Sequence, residues 1–333
     1  MMANRTRLLR AAAGAVGLLA LALLPGVVPP FYVYVATEIL ILGLFATSFN
    51  LIFGYTGLLS FGHAAFFGTG AYVTAILLRD IGPDFLWALL AGGGAAALLA
   101  VVIGLFCVRR NEIYFAMLTL AFGMMVFAVF HQWRSFTGGS DGVAGFLLPE
   151  FGLGIAIDLY DPAQFYWMTL VIVVLCLWVL HRIVRSPFGL LLLAMRENLG
   201  RTAFTGVPVY RYRLYAFVIS GLFSGIAGAL FAPYNAVVVP DMVHWTQSAQ
   251  PVLMSVLGGT AYFLGPFLGA TVFQLLKLVV TDVSANWMLY LGTVLLAVVL
   301  FAPRGLSGLV ADGLKRAGLG GDGDETTKGG MLR

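Results

Sequence analysis

The sequence predicts an all-α polytopic membrane protein, and its composition, run lengths and residue periodicity point the same way. The chain has 333 residues, of which 60% are hydrophobic and 10% are charged, whereas soluble domains carry about 25% charged residues. Its apolar runs are repeatedly about 20 residues long, the length of a helix that crosses the hydrocarbon layer. These runs do not alternate apolar and polar residues at period two, which disfavours a transmembrane β-barrel.

Eight apolar runs are predicted to be transmembrane helices. They cover residues 9–28, 31–53, 57–78, 85–107, 113–131, 163–181, 213–233 and 286–302. The first run resembles a signal peptide, but it is long and no clear small-x-small cleavage site precedes the next span, so a retained helix is favoured. Cys107 and Cys176 lie inside apolar runs and are expected to be buried thiols without a disulfide.

The run 248–281 is predicted to be a broken or re-entrant pair. Its 34 residues are too many for one span, and the pairs Gly258-Gly259 and Gly265-Pro266 interrupt it. Two short helices, or a helix and a re-entrant segment, fit better. Non-helical backbone at membrane depth is tolerated only where protein or a water-filled cavity surrounds it.

The distribution of Lys and Arg predicts that both termini are cytoplasmic. With an inner N-terminus and alternating spans, 16 of the 19 basic residues face the cytoplasm, and only Arg79, Arg134 and Lys277 lie outside. Cytoplasmic loops of membrane proteins carry this excess of positive charge. Residues 248–281 must then begin and end on the outer side, with a turn between Gly258 and Pro266.

This topology divides the chain into a transmembrane domain, residues 1–310, and a cytoplasmic tail, residues 311–333. The tail is glycine-rich and polar, which predicts disorder. Two loops interrupt the domain: an outer loop at 132–162 and a basic inner loop at 182–212.

Small residues in the stretch NLIFGYTGLLSFGHAAFFGTGAYV, residues 50–73, favour close helix packing. They recur at helical spacing and form one stripe, Gly57, Ser60, Ala64, Gly68 and Ala71. A later span carries a GxxxG pair, Gly221 and Gly225. Small residues let helix backbones approach closely in a membrane.

Polar residues at membrane depth are candidates for a translocation pathway. His63 either makes an interhelical hydrogen bond or lines a polar pathway, and Glu38 either pairs with a cation or contacts solute. The full set of pathway candidates is Glu38, Asn50, Thr56, Ser60, His63, Gly258 and Gly259.

The inner loop contains a short amphipathic helix after a break at Ser186-Pro187. Its side chains either bury against a partner protein or lie on lipid headgroups. The residues predicted to couple the chain to a partner are Pro187, Phe188, Gly189, Met195, Arg196, Glu197 and Asn198.

Catalytic, metal and nucleic-acid motifs are absent from the sequence. It has no HExxH and no paired acids on one span, and GK[ST] follows none of its glycine pairs. The arginines follow membrane topology and match no nucleic-acid motif. The sequence thus predicts a non-catalytic chain that binds no metal, cofactor or nucleic acid and contacts membrane lipid.

Seven ordered motifs resemble the permease subunits of branched-chain amino acid ABC importers, a hydrophobic amino acid uptake family, and among them the M-type subunit. The similarity spans residues 35–310. The motifs are NLIFGYTGLLSFGHAAFFGTGAYV, YFAMLTLAFGMM, SFTGGSDGV, SPFGLLLLAMREN, VISGLFSGIAGALFA, VLGGTAYFLGPFLGA and LFAPRGLSGL. The chain departs from the family pattern at Leu190, where a basic residue commonly follows FG, and after Leu199.

The resemblance implies a subunit of a transport complex in the bacterial inner membrane. Its partners would be a second homologous permease, two cytoplasmic ATPase subunits that bind ATP and Mg, and an extracytoplasmic solute-binding protein. The inner-loop helix would be the coupling helix that docks in an ATPase groove. Alternatives are a similar importer for urea or short amides, a stand-alone channel or carrier, and a membrane-embedded enzyme.

Overall fold

The computed structural model describes residues 17, 21–82, 84–110, 112–146, 151, 158–283, 287–301 and 305–309. Residues 21–27 are helical, as predicted for the first span. The rest of that predicted span lies largely outside the described residues, and the predicted tail at 311–333 lies wholly outside them.

The described part of the chain is mainly long α-helices. In chain order they are α1 (Pro30–Thr56), α2 (His63–Asp80), α3 (Phe85–Cys107), α4 (Glu112–Gln132), α5 (Arg134–Thr137), α6 (Pro162–Val184), α7 (Pro187–Glu197), α8 (Leu199–Phe204), α9 (Val209–Asn235), α10 (Trp245–Gly258), α11 (Gly265–Val283) and α12 (Trp287–Phe301). Among the described helices, α1, α3, α4, α6 and α9 are long and apolar enough to cross a membrane. Cys107 and Cys176 are buried free thiols.

The predicted helix at 57–78 is wrong over its first six residues. Gly57 has φ +76°, in the left-handed region, and ends α1 instead of beginning a new helix. The N–H groups of Gly57 and Leu58 both bond back to the Ile52 carbonyl, that of Leu58 at 3.1 Å, so the helix closes on a left-handed glycine. Since α2 begins only at His63, Gly57 and Ser60 do not belong to the helical stripe.

Helix α9 forms the centre of the bundle by packing on α1, α2 and α3. Gly70 of α2 lies directly against the Gly225 carbonyl, and Gly228 lies against the Phe67 carbonyl, so a Cβ at either glycine would overlap with backbone. Backbones in this contact approach more closely than any larger residue allows. Helix α2 is therefore buried along almost its whole length.

The predicted interruption of the run 248–281 is present. Helix α10 ends at Gly258, Gly259 follows with φ +99°, and α11 begins at Gly265. The two arms touch along backbone, since Gly258 lies against the Gly265 carbonyl and Gly269 against the Met254 carbonyl. Residues 259–264 thus form a turn between two closely packed antiparallel helices.

Both predicted loops contain secondary structure. The 132–162 segment carries α5, a 3₁₀ turn (Gly139–Asp141) and the strand β1 (Val143–Ala144). Strand β1 pairs antiparallel with β2 (Val237–Val238), which follows α9. This two-residue ribbon ties the loop to the end of the central helix, and the helical character of the described chain is consistent with the predicted all-α class. The 182–212 segment contains α7 and α8.

Candidate coupling and translocation site

The α6–α7 corner is built by Ser186, Pro187 and Gly189. Ser186 is extended (ψ 168°) and Pro187 is the first residue of α7, where its missing N–H costs no helical bond. Gly189 lies against the Val184 carbonyl, so a Cβ there would overlap with backbone. The corner therefore folds α7 sharply back onto the end of α6.

One face of α7 is buried and the other is exposed. Leu192 and Met195 are buried, and the Phe188 ring stacks on Tyr212 with centroids 5.7 Å apart. Leu190 is 65% exposed, and Glu197 at the end of the helix is also exposed. The bundle thus holds α7 while leaving a mixed apolar and acidic surface uncovered.

Helix α8 follows α7 directly and extends the exposed surface of the inner loop. Asn198 accepts a 2.9 Å hydrogen bond from the Arg201 N–H through Oδ1, which caps α8. Phe204 at the end of α8 is 94% exposed. Phe204 was not among the predicted coupling residues, although its place in the amphipathic stretch just before Gly206 was an available signal.

Arg196 is exposed over much of its surface, but its guanidinium reaches the bundle. Its Nη1 donates a hydrogen bond to the Gly54 carbonyl in the last turn of α1. Its Cγ would lie 3.1 Å from a Cβ at Gly57. The same arginine borders a cavity of about 560 Å³ that Ile113, Tyr114 and Arg213 also line.

Asn50 and the turn at 259–264 meet beside this contact. Asn50 is 1% exposed, and its Nδ2 donates to the Thr260 carbonyl at 3.3 Å. The Gly258 carbonyl accepts a 2.5 Å bond from the Ser307 hydroxyl. The end of α1, the turn and the residues around Ser307 therefore share one end of the bundle with α7.

His63 is enclosed at the junction of α1, α2 and α9. It is fully buried and has edge-on contacts with Phe49, Phe66 and Phe217. Its Nε2 lies 2.8 Å from the Ser220 hydroxyl. That hydroxyl donates its own proton to the Ser48 carbonyl at 2.6 Å, so Nε2–H must be the donor in the histidine–serine bond.

A second serine pair extends this network. The Ser48 hydroxyl donates to the Phe45 carbonyl at 2.7 Å and lies 2.9 Å from the Ser224 hydroxyl. Since the Ser48 proton is committed, Ser224 is the donor in that pair. This geometry agrees with the interhelical hydrogen bond that was one of the two interpretations of His63.

Two other pathway candidates bond locally. Thr56 donates to the Ile52 carbonyl within its own helix at 2.5 Å. Ser60 is fully buried and accepts from the Gly62 N–H at 3.4 Å. Both hydroxyls lie in the packed interior of the chain.

Glu38 lies toward the opposite end of the bundle, between three helices. It accepts a 3.2 Å bond from the Tyr234 hydroxyl of α9, and its other oxygen is 3.7 Å from the Lys277 ammonium of α11. Of the two interpretations, this geometry agrees with pairing to a cation.

The structure places the predicted packing residues in different environments. Gly221 and Gly225 lie against Ala100 and Ala96 of α3, whereas Gly68 lies against Val243 in a 3₁₀ turn (Pro240–Val243). The Ala64 N–H at the start of α2 bonds to the Ser248 hydroxyl of α10 at 2.9 Å. The prediction missed Gly70, which lies against the Gly225 carbonyl of α9.

Among the described residues, no cluster of three or more His, Cys, Asp or Glu side chains is arranged to hold a metal ion. The arrangement instead joins a half-exposed short helix to the bundle through Leu192, Met195 and the Arg196–Gly54 hydrogen bond, which suits transmission of movement between that helix and the membrane helices. The family described as "Branched-chain amino acid transport system / permease component" matches residues 31–302. This chain belongs to that family.

Individual relatives of this permease carry matching descriptions. It is 30% identical to the high-affinity branched-chain amino acid transport system permease protein LivM of Escherichia coli, over 84% of this chain and 71% of the relative. The Salmonella typhimurium protein of that name is 29% identical over the same shares. The permease protein LivH of Escherichia coli is 24% identical over 69% of this chain and 78% of the relative. No solved structure matches the permease significantly.

Proposed function

We propose that this permease is one of two membrane subunits of an ABC importer that carries branched-chain amino acids across the bacterial inner membrane. Its partners are a second, LivH-like permease, two cytoplasmic ATPases that bind ATP and Mg, and an outer solute-binding protein. The similarity to both LivM and LivH supports the permease pair. The chain itself is the non-catalytic part of the machine.

The two-faced helix α7 is the observation that carries this proposal. Leu192 and Met195 fix it to the bundle, so it moves with the membrane helices. Leu190, Glu197 and Phe204 remain uncovered and form the docking surface for an ATPase. Aromatic residues, phenylalanine among them, are enriched in protein–protein interfaces, so Phe204 suits an anchor on this surface.

Transport then follows from differential binding. ATP favours the closed arrangement of the two ATPases, and their closure shifts α7 together with the bundle. A ligand shifts a conformational equilibrium only by its difference in affinity for the two states. ATP therefore supplies the energy, and the binding protein supplies most of the solute selectivity.

The proposed topology places α7 and the turn at 259–264 in the cytoplasmic half. Arg109 and Arg110 follow α3, and Arg182 and Arg185 lie at the end of α6, so these helix ends carry the positive charge expected inside. Since Asn50 joins the end of α1 to Thr260, the turn lies at this same end. Helices α10 and α11 then begin and finish on the outer side.

Single cysteines test this topology. We expect a cysteine at Gln247 and a cysteine at Asp282 to react with a membrane-impermeant maleimide added from outside, because both positions flank the broken pair. A cysteine at Leu190 is the matched inner control and should react only after the membrane is opened. Labelling of Gln247 and Asp282 variants from opposite sides would reject the topology.

Reconstitution tests the function itself. The permease, its permease partner, the ATPases and the binding protein in liposomes should take up leucine only with ATP, and omission of any component should abolish uptake. Urea serves as the competing solute. Leucine flux through the permease alone, without ATPases, would establish a carrier or channel instead.

A further inference from the structure

The last turn of α1 has a carbonyl that its own helix does not satisfy. In a continuing helix the Leu58 N–H would donate to the Gly54 carbonyl. Because Gly57 ends α1, the Leu58 N–H donates to the Ile52 carbonyl instead. The last four carbonyls of a helix need partners from elsewhere. Arg196 of α7 donates to the Gly54 carbonyl from 142 residues away.

The charge of Arg196 suits this place. A helix C-terminus carries about half a negative charge from its aligned peptide dipoles, which favours a cation there. The glycine at 57 leaves room for the arginine stem, since a Cβ there would lie 3.1 Å from Arg196 Cγ. Gly57 thus both ends α1 and admits the side chain that caps it.

The capped turn also contacts the broken helix pair. A Cβ at Gly54 would lie 2.8 Å from the Thr260 carbonyl, the same carbonyl that accepts from Asn50. A displacement of Arg196 therefore acts on the end of α1. Through the contact between Gly54 and Thr260, it also acts on the turn between α10 and α11.

We propose that Arg196 is a positioning residue that transmits movement of α7 to the end of α1 and the 259–264 turn, rather than a residue that mainly holds the ATPase. This inference rests on the proposed function of α7 as the coupling helix. In the assembled importer, docking belongs to the exposed face of α7 and α8, and transmission belongs to the Arg196–Gly54 contact.

The test compares Arg196→Ala, Arg196→Lys and Gly57→Ala in the complete reconstituted importer. The matched control is Arg211→Ala, an exposed arginine at the start of α9. Three quantities are measured: co-purification of the ATPases, leucine transported per ATP hydrolysed, and the KM for the loaded binding protein.

For Arg196→Ala we expect normal co-purification, an unchanged KM and a transport-to-hydrolysis ratio about tenfold lower, within the usual range of coupling between sites. Arg196→Lys should restore part of the ratio because it keeps a cation at the helix end. Gly57→Ala should lower the ratio because its Cβ displaces the arginine stem. Arg211→Ala should behave like wild type.

Two results would overturn the proposal while leaving the proposed function intact. One is a wild-type ratio in assembled Arg196→Ala importer, and the other is loss of the ATPases from that variant, which would make Arg196 a docking residue. Absence of ATP-dependent uptake by the wild-type importer would overturn the proposed function, and the positioning role with it.

Discussion

Replacing Gly228 by alanine is expected to destabilise the permease by about 3 kcal/mol or more. The added Cβ would overlap with the Phe67 carbonyl of α2, and a helix backbone has no rotamer by which to move aside. Inserting one carbon into a packed site commonly costs about 1–3 kcal/mol, and backbone contact belongs at the upper end. Separating α9 from α2 would also break the neighbouring contact between Gly70 and Gly225.

Gly94→Ala is the matched control for this substitution. Gly94 lies in α3 with open space where its Cβ would be, so the same change should be neutral or slightly stabilising, because alanine favours helix over glycine. Thermal unfolding of both purified variants in detergent measures the difference. Equal melting temperatures would show that α2 and α9 do not approach as closely as described.

Sequence reasoning identifies helices better than it identifies their faces. The lengths of the apolar runs and the glycine pairs sufficed to predict the long helices and the break after Gly258. The role predicted for Gly57 was wrong because a glycine that ends a helix and one that packs two helices look alike in sequence. Only the positive φ of Gly57 separates these roles, and it depends on where the chain turns next.

The partners of the site residues are harder still to predict. Arg196 was expected to bury against a partner because it lies in an amphipathic stretch. Its bond to Gly54 joins residues far apart in the chain, and spacing could not predict it. Gly70 was overlooked beside the Gly68 stripe, and only the placement of α9 shows which glycine faces it. Such contacts are fixed by tertiary packing, which local spacing does not encode.

His63→Ala is expected to lower stability by about 3 kcal/mol without raising the KM for transport. The change leaves a cavity among Phe49, Phe66 and Phe217, and truncating a buried ring typically costs about 3–5 kcal/mol. It also removes the donor to Ser220, although Ser220 keeps its own bond to the Ser48 carbonyl. His131→Ala, at an exposed position near the end of α4, should change stability little.

The two interpretations of His63 predict changes in different quantities, the melting temperature in one case and the KM for transport in the other. If the imidazole joins α2 to α9, the melting temperature falls and His63→Gln restores part of it through an amide donor, while the KM at a permissive temperature stays near wild type. If the imidazole contacts solute, the KM rises and the melting temperature changes less. A wild-type melting temperature with a tenfold higher KM would place His63 on the pathway, and the enclosed bond to Ser220 argues for the opposite result.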